Sequence, residues 1–176
     1  FGSDGVRGVA GSDLTPEIAM AIGRAAVRAV GAARVLIGRD TRRSGPMLEA
    51  ALAAGVCAEG ADAVLAGVVP TPAVAFASER DQIVGVVISA SHNAFPDNGI
   101  KLFAPGGRKL DDDQQAAVES VIAEALALAE SAGTPLEDVP VGVGIGSLLA
   151  DVNLAEEYAA SIEGVTDGRR LDGLRV

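Results

Sequence analysis

The stretch "RVLIGRDTRRSGPMLEAALAAGVCAEGADAVLAG" (Arg34–Gly67) decides the fold. Its opening, RVLIG, has the pattern of a short buried strand. From Ser44 a helix begins, and Gly60 stops it. DAVLAG is then a second strand. Strand, helix and strand in sequence argue for a layered α/β sheet. The flanking segments extend the same alternation. Upstream, "TPEIAMAIGRAAVRAV" (15–30) is a helix with Thr15 as cap, Pro16 in the first turn and Gly31 at its end. Downstream, "TPAVAFASE" (71–79) repeats the Thr-Pro helix opening at Thr71. "QIVGVVIS" (82–89) is as apolar as a fully covered strand requires. "GIKLFA" (99–104) returns as a short strand, and "PGGRKLD" (105–111) is a hairpin-type turn. Asp111 and Gln114 form a capping box for a helix through Leu128. The aspartates Asp111, Asp112 and Asp113 are better explained by that helix start than by a metal site.

Composition sets the bounds. The chain has 176 residues, is 49% hydrophobic and only 3% aromatic, so a sizeable core must be built from Ala, Val, Leu and Ile. The net charge of −10 argues against a nucleic-acid surface. No apolar run is long enough to span a membrane. The single Cys57 excludes a disulfide framework and a cysteine metal cluster, and reads as a small buried hydrophobe. The opening is a Gly-rich turn rather than a signal-peptide pattern, and a cytoplasmic address is expected.

The chemistry concentrates in loops. In open α/β sheets, sites form at the carboxyl ends of strands. "GRDTR" follows one strand and "ISASHN" another, so both are expected on the same edge. The second runs through "VVISASHNAFPDNGIKLF" (86–103), which carries Ser91, the chain's only histidine, His92, and then Lys101. The small neighbours Ser89, Ala90 and Asn93 allow a tight, open loop whose N–H groups could cradle phosphate. Arg7, Arg39, Arg42 and Lys101 all lie in Gly-rich stretches, which suggests anion handling. A plain loop serine that satisfies the backbone is the alternative for Ser91. A structural role is the alternative for His92, and an exposed strand lysine for Lys101. A Ser-His hydrolase fits poorly, because adjacent side chains rarely form the nucleophile–base pair and no G-x-S-x-G occurs.

"FGSDGVRG", "GRDTRRSG", "PTPAV", "ISASHNAFPDNGIKLF" and "GGRKLDDD" occur in the order and approximate spacing of the α-D-phosphohexomutases, and the chain resembles that family over about residues 1–130. The forms of the first and fourth motifs are most similar to its glucosamine-phosphate branch. The resemblance implies a three-layer α/β/α domain with a mixed, mostly parallel sheet. It also implies that Ser91 carries a phosphoryl group, that this phosphate helps to hold Mg²⁺, and that Arg7, His92 and Lys101 surround it. Lys101 is the residue expected to move a proton or balance charge. The implied reaction interconverts a hexosamine 6-phosphate and 1-phosphate through a bisphosphorylated sugar. Glucose and mannose phosphates remain alternative substrates. A phosphate-binding module without catalysis and a Ser91–Lys101 hydrolase are the readings from other classes.

Two departures stand out. Ala94 occupies the place of the family's usual proline, which loosens the loop. No "DGDGDR" metal loop or distal phosphate clamp is present, so the C-terminal domains of the same protein are the expected partners. The organisation expected is a domain over 1–163 carrying the serine loop, with 164–176 a linker and the first strand of a second domain. By itself the chain is expected not to turn over. The sequence leaves the oligomeric state open.

Overall fold

The computed structural model describes residues 5–130, 139–165, 168, 172, 173 and 175. Most of 169–176, where a strand is expected, and Phe1–Asp4 of the first motif lie outside the described residues. The strands are β1 (Val6–Val9), β2 (Arg34–Arg39), β3 (Asp62–Val68), β4 (Val84–Ile88), β5 (Asp97–Ala104), β6 (Arg108–Lys109) and β7 (Leu148–Ala150). The helices are α1 (Pro16–Arg28), α2 (Gly45–Ala58), α3 (Thr71–Asp81), α4 (Asp112–Glu130) and α5 (Leu154–Val165). Thr15 caps α1 as expected, accepting a hydrogen bond from the Ile18 amide. Thr71, by contrast, is not a cap. It is the first residue of α3, behind Pro70. The helix α5 runs past the expected boundary at 163.

One sheet orders the strands β1-β5-β4-β2-β3-β7, with β6 on the far end of β5. The β2–β3, β2–β4 and β3–β7 pairs are parallel, and the β1–β5, β4–β5 and β5–β6 pairs antiparallel. The sheet is therefore mixed, divided at β4 into a parallel and an antiparallel half. The strand β7 lies inside a stretch whose Gly and Pro content reads as loop. Its pairing to the free edge of β3 makes it a strand, with the Ala63 amide donating to the Ser147 carbonyl and the Asp151 amide to that of Leu65.

Strand alternation assigns the layers. Val35, Ile37, Val84, Val86, Ile88, Ile100 and Leu102 point to one face, where α1, α2 and α4 contribute Ile22, Leu48, Leu52 and Val118. Leu36, Val87 and Phe103 point to the other, against Val74 and Ala77 of α3 and Leu154 of α5. Both faces are covered, so β4 is buried at every position and can read as a continuous apolar run. Each fully buried Leu, Ile or Val contributes roughly 1.5–3 kcal/mol. The two outer helices on the second face are further joined by Arg80, which pairs with Asp81 and Glu157 and lies 5.7 Å from the Phe76 ring centroid. The Arg80 hydrogen bond holds the Asp81 carboxyl below its ordinary range. Cys57 is only partly buried, and its thiol donates to the Ser147 carbonyl at 3.6 Å, beside the short β7 edge. Among the described residues no helix is long and apolar enough to cross a membrane.

Candidate functional site

The parallel pairing of β2 with β4 carries both strands to the same edge, and the Asp40 amide still donates to the Ile88 carbonyl just beyond the ladder. The loops 40–44 and 89–96 therefore leave the sheet side by side, as the sequence implied. Three sets of hydrogen bonds join the first loop to the second and to the start of β5. The Ser89 hydroxyl donates to Asp40 Oδ2 at 2.7 Å. Asn98, fully buried, donates through Nδ2 to the Ser44 hydroxyl at 2.9 Å. That bond occupies Ser44, which makes no side-chain cap for α2.

The third set belongs to Arg42. Its Nε donates to Asp40 Oδ2 at 3.1 Å. One terminal nitrogen donates to the carbonyls of Ala94 (2.7 Å) and Asp97 (3.0 Å). The other donates to those of Ser91 and Asn93, both at 3.0 Å. A guanidinium has five N–H donors in a fixed plane, and here all of them are used. Asp40 in turn fixes Arg42, because its Oδ1 accepts the Arg42 backbone amide at 3.0 Å.

This corrects one expectation. Arg42 is not held in reserve for an anion; its side chain is 12% exposed and turned onto the loop backbone. Arg39 is likewise engaged, donating to Glu49 at 2.9 Å. Sequence shows that arginines sit in a Gly-rich loop but not which acceptors they meet.

Ser91 sits at the exposed tip of this braced loop with φ +54°. The left-handed region costs a non-glycine residue about 1–2 kcal/mol, so the surrounding bonds must hold it there. The Ser91 amide donates to the Ser89 hydroxyl at 3.1 Å, and the Asn93 amide closes a turn onto the Ala90 carbonyl at 3.0 Å. Ser89 is thus donor to Asp40 and acceptor from Ser91, one link between the two loops. Ser91 Oγ and His92 Nδ1 are 3.4 Å apart, long for a hydrogen bond between hydroxyl and imidazole. The two side chains approach, but not as a nucleophile–base pair.

Arg7 and Lys101 are placed by the sheet. Arg7 on β1 is opposite Gly99 of β5, and Lys101 is opposite Val87 of β4. Positions directly opposite, and those two apart along a strand, share a face. Arg7, Gly99 and Lys101 therefore lie on the side that α3 covers. A Cβ on Gly99 would come within 3.0 Å of Arg7 Cγ and 2.9 Å of the Ser89 carbonyl. The missing side chain leaves room for the Arg7 stem to lie over Gly99, close to the Ser89 carbonyl. The site thus has a serine and a histidine on one exposed loop, and an arginine and a lysine on the adjacent strand face. Asp40, Ser89 and Asn98 hold these parts together and were not legible as site residues. The D-x-R spacing after a strand could have pointed to Asp40 alone.

Comparisons with known proteins bear on the family and the fold. Residues 1–128 match the family model for phosphoglucomutase/phosphomannomutase, alpha/beta/alpha domain I. The whole chain aligns with phosphoglucosamine mutases, at 48% identity for that of Mycolicibacterium gilvum and 47% for that of Mycobacterium tuberculosis, and in each case spans 39% of the relative's length. A phosphoglucomutase/phosphomannomutase family protein of Burkholderia thailandensis superposes with a TM-score of 0.70 at 32% identity, over 92% of this chain and 35% of that one. A phosphomannomutase-like structure from Thermus thermophilus shares the fold, with a TM-score of 0.73 at 24% identity over 97% of this chain and 36% of that one. The chain belongs to the phosphoglucomutase/phosphomannomutase family and contains its α/β/α domain I.

Proposed function

We propose that this chain is the serine-bearing first domain of a phosphoglucosamine mutase, and that Ser91 carries the phosphoryl group. The observation that carries the reading is the braced turn, which holds Ser91 in a left-handed conformation with its side chain exposed. The 48% identity to a phosphoglucosamine mutase favours a hexosamine phosphate as the substrate. The domain would extend through α5, with the sugar-recognising and distal phosphate-binding parts in the portion of the relatives that this chain does not span.

In the forward step the bond from phosphorus to Ser91 Oγ breaks, and a bond from phosphorus to a sugar hydroxyl oxygen forms. The sugar hydroxyl loses its proton and Ser91 Oγ regains one. The sugar is then a bisphosphate. After it turns over in the site, its other phosphoryl group returns to Ser91 by the reverse of the same exchange. A phosphoserine brings nearly two negative charges. Such a transfer depends on positioning and charge neutralisation more than on covalent help. Arg7 and Lys101 supply positive charge on the adjoining strand face. Lys101 and His92 are the groups we assign to proton movement.

Mg²⁺ is the ion that the family reading implies. Among the described residues no group of three or more His, Cys, Asp or Glu could hold a metal. Asp40 is spent on Arg42 and Ser89, and Asp111 on the start of α4. The described residues by themselves do not build the site; a Ser91 phosphate would be one ligand, and the carboxylates would come from the portion of the relatives that this chain does not span.

The test is a peptide mass map of this chain joined to the C-terminal portion of a phosphoglucosamine mutase relative, after incubation with glucosamine 1,6-bisphosphate and Mg²⁺. The expected result is a phosphate on Ser91, none on Ser89, and no modification of the Ser91→Ala variant. The chain alone is expected to show no steady interconversion of glucosamine 6-phosphate and 1-phosphate. Labelling of Ser91 by a fluorophosphonate, with no phosphoryl uptake, would replace the mutase by a Ser–Lys hydrolase.

A further inference from the structure

We propose that Arg42, fixed by Asp40, is a positioning residue for phosphoryl transfer: its side chain sets the left-handed turn that presents Ser91. This rests on the reading of Ser91 as the phosphoryl carrier, and deepens it by naming what holds the carrier in place. Four carbonyls of one short segment, those of Ser91, Asn93 and Ala94 in the loop and of Asp97 at the start of β5, converge on a single guanidinium. Carbonyls from one short segment point to a common centre only when its peptide planes are turned toward it. The Arg42 plane thereby fixes several peptide orientations at once, including that of the strained residue.

The arrangement is selective for arginine. A lysine has three donors on one freely turning atom and no planar fork. It cannot reach four carbonyls while also bonding Asp40. Asp40 is needed because an unfixed guanidinium could follow the loop instead of holding it. Its two oxygens accept both the backbone and the side chain of Arg42, and Oδ2 also takes the Ser89 hydroxyl that receives the Ser91 amide. The path from Asp40 to Ser91 is closed on both sides, through Arg42 to the Ser91 carbonyl and through Ser89 to the Ser91 amide. No part of it requires Arg42 to touch a sugar or a phosphate. Loss of the brace should therefore slow transfer while leaving substrate binding alone. A displacement of about 1 Å in a reacting group can cost on the order of a hundredfold in rate.

The experiment has two parts. In the first, amide hydrogen exchange is followed residue by residue in the 176-residue chain and its Arg42→Lys, Arg42→Met and Asp40→Asn variants. Exchange at Ser91 and Asn93 should rise at least tenfold in all three, with the β2 and β4 amides unchanged. The last condition shows that the variant is folded, and Asp40→Asn serves if Arg42→Met is not. Unchanged exchange at Ser91 and Asn93 in a folded variant overturns the proposal. In the second, the chain and its variants are joined to the C-terminal portion of a phosphoglucosamine mutase relative, and transfer of phosphoryl from glucosamine 1,6-bisphosphate to Ser91 with Mg²⁺ present is timed by intact mass. The bond from phosphorus to the sugar oxygen breaks, the bond to Ser91 Oγ forms, and the serine proton ends on the sugar. Arg42→Lys should lower the maximal rate about a hundredfold and change the half-saturating concentration less than threefold, without rescue by the retained charge. Equal rates in variant and parent overturn the positioning role. No transfer in the joined protein carrying the parent sequence refutes the carrier reading, while the exchange measurement still decides whether Arg42 sets the turn.

Discussion

Two loops on this sheet are ordered by opposite means. The segment 105–115, which joins β5 to α4, is held mostly by its own neighbours, with one bond from outside, the Gly106 amide to the Ser78 carbonyl of α3 at 3.3 Å. Gly107 donates its amide to the Ala104 carbonyl at 3.0 Å. Asp111 and Gln114 then exchange bonds, side chain to amide in each direction, at 2.8 and 3.1 Å. Gln115 closes back on the Leu110 carbonyl at 2.9 Å. The serine loop is held from far away in sequence, by an arginine between 49 and 55 residues from the carbonyls it binds. A locally closed segment can carry a helix cap, but it has little outside support for a strained residue. The serine loop places Ser91 in a conformation it would not adopt alone, and needs a second loop to keep it there.

The largest effect expected on the local side comes from Gly107. Both Gly106 and Gly107 have positive φ, +95° and +71°. A Cβ on Gly106 meets nothing, whereas one on Gly107 would lie 2.4 Å from the Ala75 carbonyl oxygen of α3. Gly106→Ala should therefore cost only the strain of the backbone, about 1 kcal/mol. Gly107→Ala should cost about 3 kcal/mol, because hairpin or helix backbone must also move. Urea melts of the two variants measure the difference. Equal losses would mean that the turn does not depend on its contact with α3, and would make it still more local than described.

That contrast also explains what the sequence made legible. The Asp111–Gln114 box and the Thr15 cap each act within a few residues, so spacing alone reveals them. The alternation of strands and helices is equally legible, because both faces of β4 are covered and the strand reads as a continuous apolar run. Arg42 was visible as a cation in a Gly-rich loop, and its role was misread, since its acceptors come from a loop that only the β2–β4 pairing brings near. Thr71 repeats the Thr-Pro signal of Thr15, yet the helix includes it rather than starting after it. The strand β7 was missed for a related reason. Its residues have little periodicity, and the open edge of β3 makes them a strand.

A smaller effect is expected at the capping box. Asp111→Ala removes the acceptor for the Gln114 amide and a negative charge near the start of α4, and should cost about 1 kcal/mol. Gln114→Ala should cost less, and the double variant less than the sum, because the two bonds form as a unit. Thermal melts of the three variants are the measurement. Additive losses would show that the two bonds are independent. In either case the exchange rates at Ser91 and Asn93 should not respond, since no bond of the cap reaches the serine loop.

The smallest effect should be a gain. Among the described residues the Ala94 amide has no acceptor, while its carbonyl takes both Arg42 and the Asp97 amide. Ala94→Pro deletes an amide that bonds nothing and keeps the carbonyl that matters. Where the folded backbone accepts it, a proline stabilises by about 0.4–1 kcal/mol, chiefly by restricting the unfolded chain. The gain depends on the folded loop being more ordered than the unfolded one. It should therefore appear in the urea midpoint of the parent chain and shrink toward zero in the Arg42→Met background, where a frayed folded loop loses freedom to the ring as well. A gain of the same size in both backgrounds would show that the loop keeps its shape without Arg42. The contrast between a locally held turn and a remotely held one would then fail at the residue on which it rests.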